Sequence, residues 1–262
     1  MPIQRFAIAA ALAFLAGCTS AGATAPGTVD PADTAERTFA AADGVTLFAD
    51  ALPAATPAEA PVVILLHQAG SSARGEYATL APELVAAGFN VLQVDLRSGG
   101  DLFGGINRTV EAAGGAEYTY CEAYPDLDAA ASAARAEGWS GPLFVWGSSY
   151  SAALAIRYAS SHPGTVAGYL AFSPASGEPM AGCQASVEDA AAVPGIALRP
   201  EREMAVPSVQ AQMEAFGEAG VRTRVVPNGV HGSSMLVDAR TKHDMSALRA
   251  EMIAFIRETA GR

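Results

Sequence analysis

The run Pro142 to Ser161, PLFVWGSSYSAALAIRYASS, constrains the fold of this chain more than any other stretch. Leu143-Phe144-Val145-Trp146 is continuously apolar, β-branched and aromatic, the composition of a strand buried on both faces. Ala152, Ala153, Ile156 and Ala159 then recur at roughly helical spacing. Between them lies a tight Gly/Ser turn, so a strand, a turn and a helix follow in order.

That order is the context in which Gly147-Ser148-Ser149-Tyr150-Ser151 reads as a nucleophile elbow, G-x-S-x-G with Ser in the last place. A strand turning sharply into a helix projects one side chain above the sheet and tolerates only small neighbours. The N–H of Tyr150 would stand at the new helix's N-terminus, where unpaired donors and the helix dipole favour a developing oxyanion. A plain Ser-capped helix is the alternative reading, and the rest of the chain has to decide between them.

Along the chain, Arg37 to Ala42 and Val45 to Ala51 flank Asp43-Gly44, a hairpin signal. Pro61 to His67 reads as a central parallel strand, followed by the turn Gln68-Ala69-Gly70 and a helix from about Glu76 to Ala87. Asn90 to Asp95 is the next strand. A glycine-bearing stretch without period runs from there to about Ala123, and such loops commonly roof or line a site. A helix follows over Tyr124 to Ala136. After the Ser149 unit come a strand over Val166 to Phe172, an irregular segment over Pro174 to Pro194, and a short strand over Gly195 to Leu198. A helix to about Ala219, a strand over Arg222 to Val226, the loop Asn228 to Gly232 and a closing helix over Met245 to Thr259 complete the order. Right-handed crossovers place every loop that follows a parallel strand along one edge of the sheet.

A serine hydroxyl needs an imidazole to take its proton and a carboxylate to hold that imidazole's tautomer. Of the four histidines, His231 alone sits in a glycine-flanked loop after the last strand, between Gly229 and Gly232, and it is the candidate base. His67, at a strand end, is read as ordering the turn after it, and His162 and His243 as surface residues. With the chain order Ser, acid, His, the acid lies between residues 149 and 231. Glu203 follows the Gly195 strand and precedes Val206-Pro207; Glu201, two residues earlier, is the alternative. Glu188 and Asp189 belong to a solvated face.

These stretches together resemble the α/β-hydrolase family over about residues 37 to 260, and within it the single-domain esterase branch that includes dienelactone-hydrolase-like and lysophospholipase-like proteins. The resemblance rests on Gly147 to Ser151, on His67-Gln68-Ala69-Gly70 for the oxyanion turn, and on Asp95-Leu96-Arg97-Ser98-Gly99. Pro200 to Pro207 matches the acid loop and Gly229-Val230-His231-Gly232 the histidine loop. Gln68 stands where the family has Gly, Ser151 replaces the last Gly, and Glu203 stands where Asp is usual. The resemblance implies a mostly parallel sheet flanked by helices, an N-terminal antiparallel hairpin and no large cap domain. It also implies Ser149 as nucleophile, His231 as base and Glu203 as acid, with the oxyanion held by the N–H of Tyr150 and of Ala69 or Gln68. The activity implied is hydrolysis of carboxylic esters, of small-molecule or lipid-like kind, through an acyl-enzyme and without cofactor or metal. Amide hydrolysis, acyl transfer and a non-catalytic binding module on the same fold remain alternatives.

At the N-terminus, Arg5, the apolar run Phe6 to Ala16 and Leu15-Ala16-Gly17-Cys18 resemble a bacterial lipoprotein signal, residues 1–17, with Cys18 as the lipidated residue. Residues 18–36 read as a tether to one domain over 37–262, held at the cell envelope by the anchor. In that compartment the two remaining cysteines, Cys121 and Cys183, are expected to form a disulfide. Sixteen Lys/Arg against 27 Asp/Glu, scattered and with no basic cluster, argue against a nucleic-acid partner.

Overall fold

A computed structural model describes residues 34–261; the signal peptide, Cys18 and most of the tether lie outside the described residues. Eight strands form one sheet: β1 (Ala35–Ala40), β2 (Thr46–Leu52), β3 (Val62–Leu66), β4 (Asn90–Asp95), β5 (Leu143–Ser148), β6 (Val166–Phe172), β7 (Gly195–Pro200) and β8 (Arg222–Val226). Their spatial order is β1-β2-β4-β3-β5-β6-β7-β8. The β1/β2 and β2/β4 pairs are antiparallel and every other pair is parallel. The fold is that of an α/β-hydrolase, with the expected hairpin at its start and no large cap among the described residues.

The helices are α1 (Ala73–Tyr77), α2 (Leu80–Ala86), α3 (Arg108–Ala112), α4 (Tyr124–Ala136), α5 (Tyr150–Ser161), α6 (Val187–Ala191), α7 (Pro207–Glu218), α8 (Asp238–Thr241) and α9 (Ser246–Ala260). They cover both faces of the sheet, which is why β3, β4 and β5 are buried at every position. Alternation along a strand divides the core in two. Val62, Ile64 and Leu66 join Leu127 of α4 and Leu154 of α5 in one layer. Val63 and Leu65 join Leu84 of α2 and Phe255 of α9 in the other.

Several elements depart from the sequence reading. The single helix expected over Glu76 to Ala87 is two. Ser72 caps α1 by accepting the Gly75 N–H, so it starts at Ala73. Pro82 has no N–H to give the carbonyl of Ala78, so the ladder is interrupted and α2 begins anew at Leu80. The long loop after β4 contains α3, capped by Asn107, and the segment before β7 contains α6, closed by a reciprocal Ser186/Asp189 capping box. Both helices have five residues, too few for apolar periodicity to register. β7 runs two residues past the expected Leu198, to Pro200, which puts Glu203 in the first turn after the strand.

The chain turns from β4 back across β3 to β5, and that reversal opens a crevice between the loops following β3 and β5. Leu66 pairs with Gly147, so the turn after His67 and the turn around Ser149 leave the sheet side by side.

Candidate active site

Ser149 sits at the β5–α5 turn with φ 60° and ψ −116°, a region that L-residues seldom occupy. Its backbone is held there: its N–H donates to Phe172 O at 2.8 Å, and its carbonyl accepts from Ala152 N at 3.1 Å and Ala175 N at 3.0 Å. Small neighbours are obligatory, because a Cβ on Gly147 would stand 2.3 Å from Ser151 O. Ser151 does more than fit. Its hydroxyl accepts the Ser148 N–H and donates to Leu66 O, each at 2.8 Å, so it ties the elbow to the neighbouring strand β3.

His231 lies at the start of the turn Gly232–Leu236. Gly232 has φ 67°, and a Cβ there would meet Ser148 Oγ at 2.3 Å, so only glycine lets the histidine loop approach the elbow. Across that approach Ser149 Oγ donates to His231 Nε2 at 2.8 Å. His231 Nδ1 in turn donates to Glu203 Oε1 at 2.7 Å.

The other Glu203 oxygen accepts from Arg199 at 2.8 Å. Burial alone would raise the carboxyl's pKa, but the hydrogen bonds from His231 and Arg199 outweigh it and hold it at about 2. Arg199 is buried and also donates to Gln212 Oε1 and the Pro174 carbonyl. Glu201 is exposed and has no such partner among the described residues, so the structure separates the two candidates. Arg199 was the missing signal: at i,i+4 from Glu203 and i,i+2 from Glu201, it reaches only the former from the end of β7.

Of the oxyanion donors, the Tyr150 N–H stands at the N-terminus of the twelve-residue α5. The Gln68 N–H is not free; it donates to Glu76 Oε2 at 2.7 Å. That leaves the N–H of Ala69, half-exposed and without a protein acceptor among the described residues. His67 orders this turn as expected. Its Nδ1–H donates to Gln68 O and its Nε2 accepts the Leu96 N–H, both at 2.8 Å, and burial lowers its pKa, so the ring is neutral. His162 stacks on Tyr158, half-buried, and His243 is exposed; neither approaches Ser149.

Cys121 and Cys183 form a disulfide, with Cα atoms 5.4 Å apart. It joins the loop after β4 to the segment before β7, as the two-cysteine count led us to expect. A cavity of about 440 Å³ opens beside His231, lined by Gln68, Leu102, Phe103, Val230, Arg202 and Arg240. The Leu102 end of the long loop walls it. The Asp95 loop is structural: Asp95 accepts from Ala73 N and Arg108, and Arg97 is buried against Asp126 and Asp43.

Residues 57–215, more than half of the chain, match the family described as serine aminopeptidase, S33. No curated protein matches the sequence. Among solved structures, an esterase from Pyrococcus furiosus is 18% identical with a TM-score of 0.64, over 86% of this chain and 90% of that one. A thermostable carboxyl esterase from Bacillus coagulans is 13% identical with a TM-score of 0.67, over 87% and 99%. A dienelactone hydrolase from Anabaena variabilis is 15% identical with a TM-score of 0.61, over 86% and 98%. At these identities the solved structures establish the fold, and the sequence match establishes the family. The chain belongs to the serine aminopeptidase S33 family of α/β-hydrolases, and it is a hydrolase.

Proposed function

We propose that this protein hydrolyses carboxylic esters through an acyl-enzyme on Ser149. The observation that carries the proposal is the unbroken hydrogen-bond chain from Ser149 Oγ through both nitrogens of His231 to a carboxylate held ionised by Arg199. With Nδ1–H committed to Glu203, Nε2 is left as the acceptor for the serine proton, which is the tautomer a general base requires. Ser149 attacks the ester carbonyl as His231 takes its proton. The tetrahedral oxyanion rests on the N–H groups of Tyr150 and Ala69, and the imidazolium gives its proton to the departing alcohol. Water then enters by the same route in reverse and releases the acid.

The cleft supports an ester of modest size. Its walls are apolar at Leu102, Phe103 and Val230, with the Gln68 carboxamide and two arginines supplying polar contacts. Attachment through Cys18 at the cell envelope belongs to the same proposal, and it favours lipid-like esters presented at a membrane surface. Among the described residues no helix is long and apolar enough to cross a membrane.

Amide hydrolysis would use the same residues, and the name of the family gives it weight. One experiment addresses the chemistry and the bond. Purified protein is labelled with a fluorophosphonate probe, the label is mapped by mass spectrometry, and p-nitrophenyl esters are compared with aminoacyl p-nitroanilides. Label on Ser149, absent in Ser149→Ala, with esters turned over preferentially, is the expected result. A wild-type protein that stays unlabelled at pH 8 overturns the hydrolytic mechanism, and a preference for anilides replaces esterase with peptidase.

A further inference from the structure

Behind the elbow lies a carboxyl group that the Ser149–His231–Glu203 relay does not use. Glu76, on α1, is completely buried. Its Oε2 accepts the N–H of Gln68 at 2.7 Å, in the turn after β3. Its Oε1 accepts the hydroxyl of Ser148 at 2.6 Å, at the end of β5. The same Ser148 oxygen accepts the N–H of Ser233 at 2.9 Å, two residues beyond His231. One side chain, extended by one hydroxyl, therefore fastens together the oxyanion turn, the elbow and the histidine loop.

These contacts fix atoms that matter to the reaction. A peptide unit is planar and trans, so holding one of its two polar groups orients the other. His67 holds the Gln68 carbonyl at 2.8 Å and thereby the plane that carries the Ala69 N–H. Glu76 holds the preceding plane through the Gln68 N–H, so both dihedrals of Gln68 are pinned. On the other side, Ser148 is adjacent to the nucleophile and Ser233 lies next but one to the base. A carboxyl buried this deeply is expensive, and the Gln68 N–H and the Ser148 hydroxyl offset part of the cost of its charge. A carboxylate accepts from two donors at once. A carboxamide in its place must turn a donor toward one of them.

We propose that Glu76 is a positioning residue of the active site, setting the placement of the Ala69 N–H, Ser149 and His231 relative to one another. The proposal rests on the hydrolytic reading of this site. Its effect falls on the transition state, because an oxyanion donor or base displaced by a fraction of an ångström weakens contacts made only there.

The test compares wild type with Glu76→Gln in steady-state hydrolysis of p-nitrophenyl butyrate, with thermal unfolding followed by circular dichroism. In a folded Glu76→Gln protein, kcat falls by about 10- to 100-fold while KM stays within about twofold, and the rate of fluorophosphonate inactivation falls in parallel. A folded variant whose kcat is within about threefold of wild type, or whose loss lies in KM, overturns the proposal. If Glu76→Gln does not fold, Ser148→Ala decides. It leaves the Gln68 contact in place and cuts the link to Ser233, and a drop in kcat of about tenfold at unchanged KM is expected, whereas no drop overturns the proposal. A wild-type protein inert to both reagents overturns the hydrolytic reading and this inference with it; an active wild type with unaffected variants overturns this inference alone.

Discussion

Replacing Glu203 by Gln tests the relay at its most informative point. The side chain keeps its length, and both of its neighbours stay in place: His231 Nδ1 at 2.7 Å and Arg199 at 2.8 Å. Arg199 can only donate, so it selects the oxygen of the new carboxamide and turns the NH2 toward His231. His231 Nδ1 must then accept, its proton moves to Nε2, and Nε2 can no longer take the proton of Ser149. The wrong tautomer in such a relay lowers kcat by about 10³- to 10⁴-fold, or about 4–5.5 kcal/mol of transition-state stabilisation. The variant keeps a hydrogen bond to the buried Arg199 and loses the charge, which costs about 1–3 kcal/mol of folding stability, so unfolding must be followed alongside activity. Stopped-flow or steady-state ester hydrolysis supplies kcat and KM, and Glu201→Gln, altering the exposed neighbour, serves as the comparison. A folded Glu203→Gln protein retaining more than about a tenth of wild-type kcat refutes the tautomer argument, and an equal loss in Glu201→Gln refutes the assignment of the acid.

Further outcomes follow from the same contacts. The Cys121–Cys183 bridge closes a loop of sequence separation 62; chain entropy then assigns it about 4 kcal/mol, which a Cys121→Ala/Cys183→Ala protein should lose in denaturant unfolding. Thiol titration should find no free thiol from this pair before reduction. Ser151→Ala takes the hydroxyl acceptor from the buried Ser148 N–H and leaves Leu66 O with the Tyr77 hydroxyl as its side-chain donor, so a loss of about 1–3 kcal/mol is expected, together with slower labelling of Ser149. Two of the shifted carboxyls, Glu203 and Glu76, act on stability in opposite directions. Glu203, held at about 2 against an ordinary 4.5, contributes fully above pH 4.5, and its contribution is lost as pH falls toward 2. Glu76, raised by burial to about 7, keeps its proton in the folded state after the unfolded chain has released it, so stability falls as pH rises from 4.5 to 7. The full effect of Glu76 is bounded at about 3 kcal/mol. Unfolding free energies measured from pH 4.5 to 8 should show this slope in wild type and lose its Glu76 part in Glu76→Gln.

Much of the site was legible in the sequence, because its parts sit in local patterns. The elbow needs small residues between a buried strand and a helix, and Gly147 to Ser151 states that requirement in five consecutive letters. The base needs a loop free of helical constraint, and Gly232, with its φ of 67°, marks one. The strands β4 and β6 fell where largely apolar runs lay, since burial on both faces leaves no polar alternation to confuse the pattern, whereas β8 is exposed from Arg222 to Val225. Short capped helices such as α3 and α6 were missed because their stability comes from the Asn107 and Ser186 caps and from packing, which periodicity does not register.

What the sequence determined by itself was the kind of structure and the chemical groups it would present: an alternating strand and helix order, a serine on a tight turn, a histidine in a glycine loop, and an acid somewhere between them. What only the tertiary structure decided was which groups meet. Glu203 prevailed over Glu201 because β7 runs on to Pro200 and Arg199 reaches one carboxylate and not the other. Of the two N–H groups in the turn after β3, that of Gln68 is already taken by Glu76, on another element, and that of Ala69 has no protein acceptor among the described residues. Both choices turn on hydrogen bonds whose direction depends on side-chain positions a few ångströms apart in space. A sequence specifies which donors and acceptors exist, whereas the folded packing of separate segments specifies which of them are already satisfied and which are left to act on a substrate.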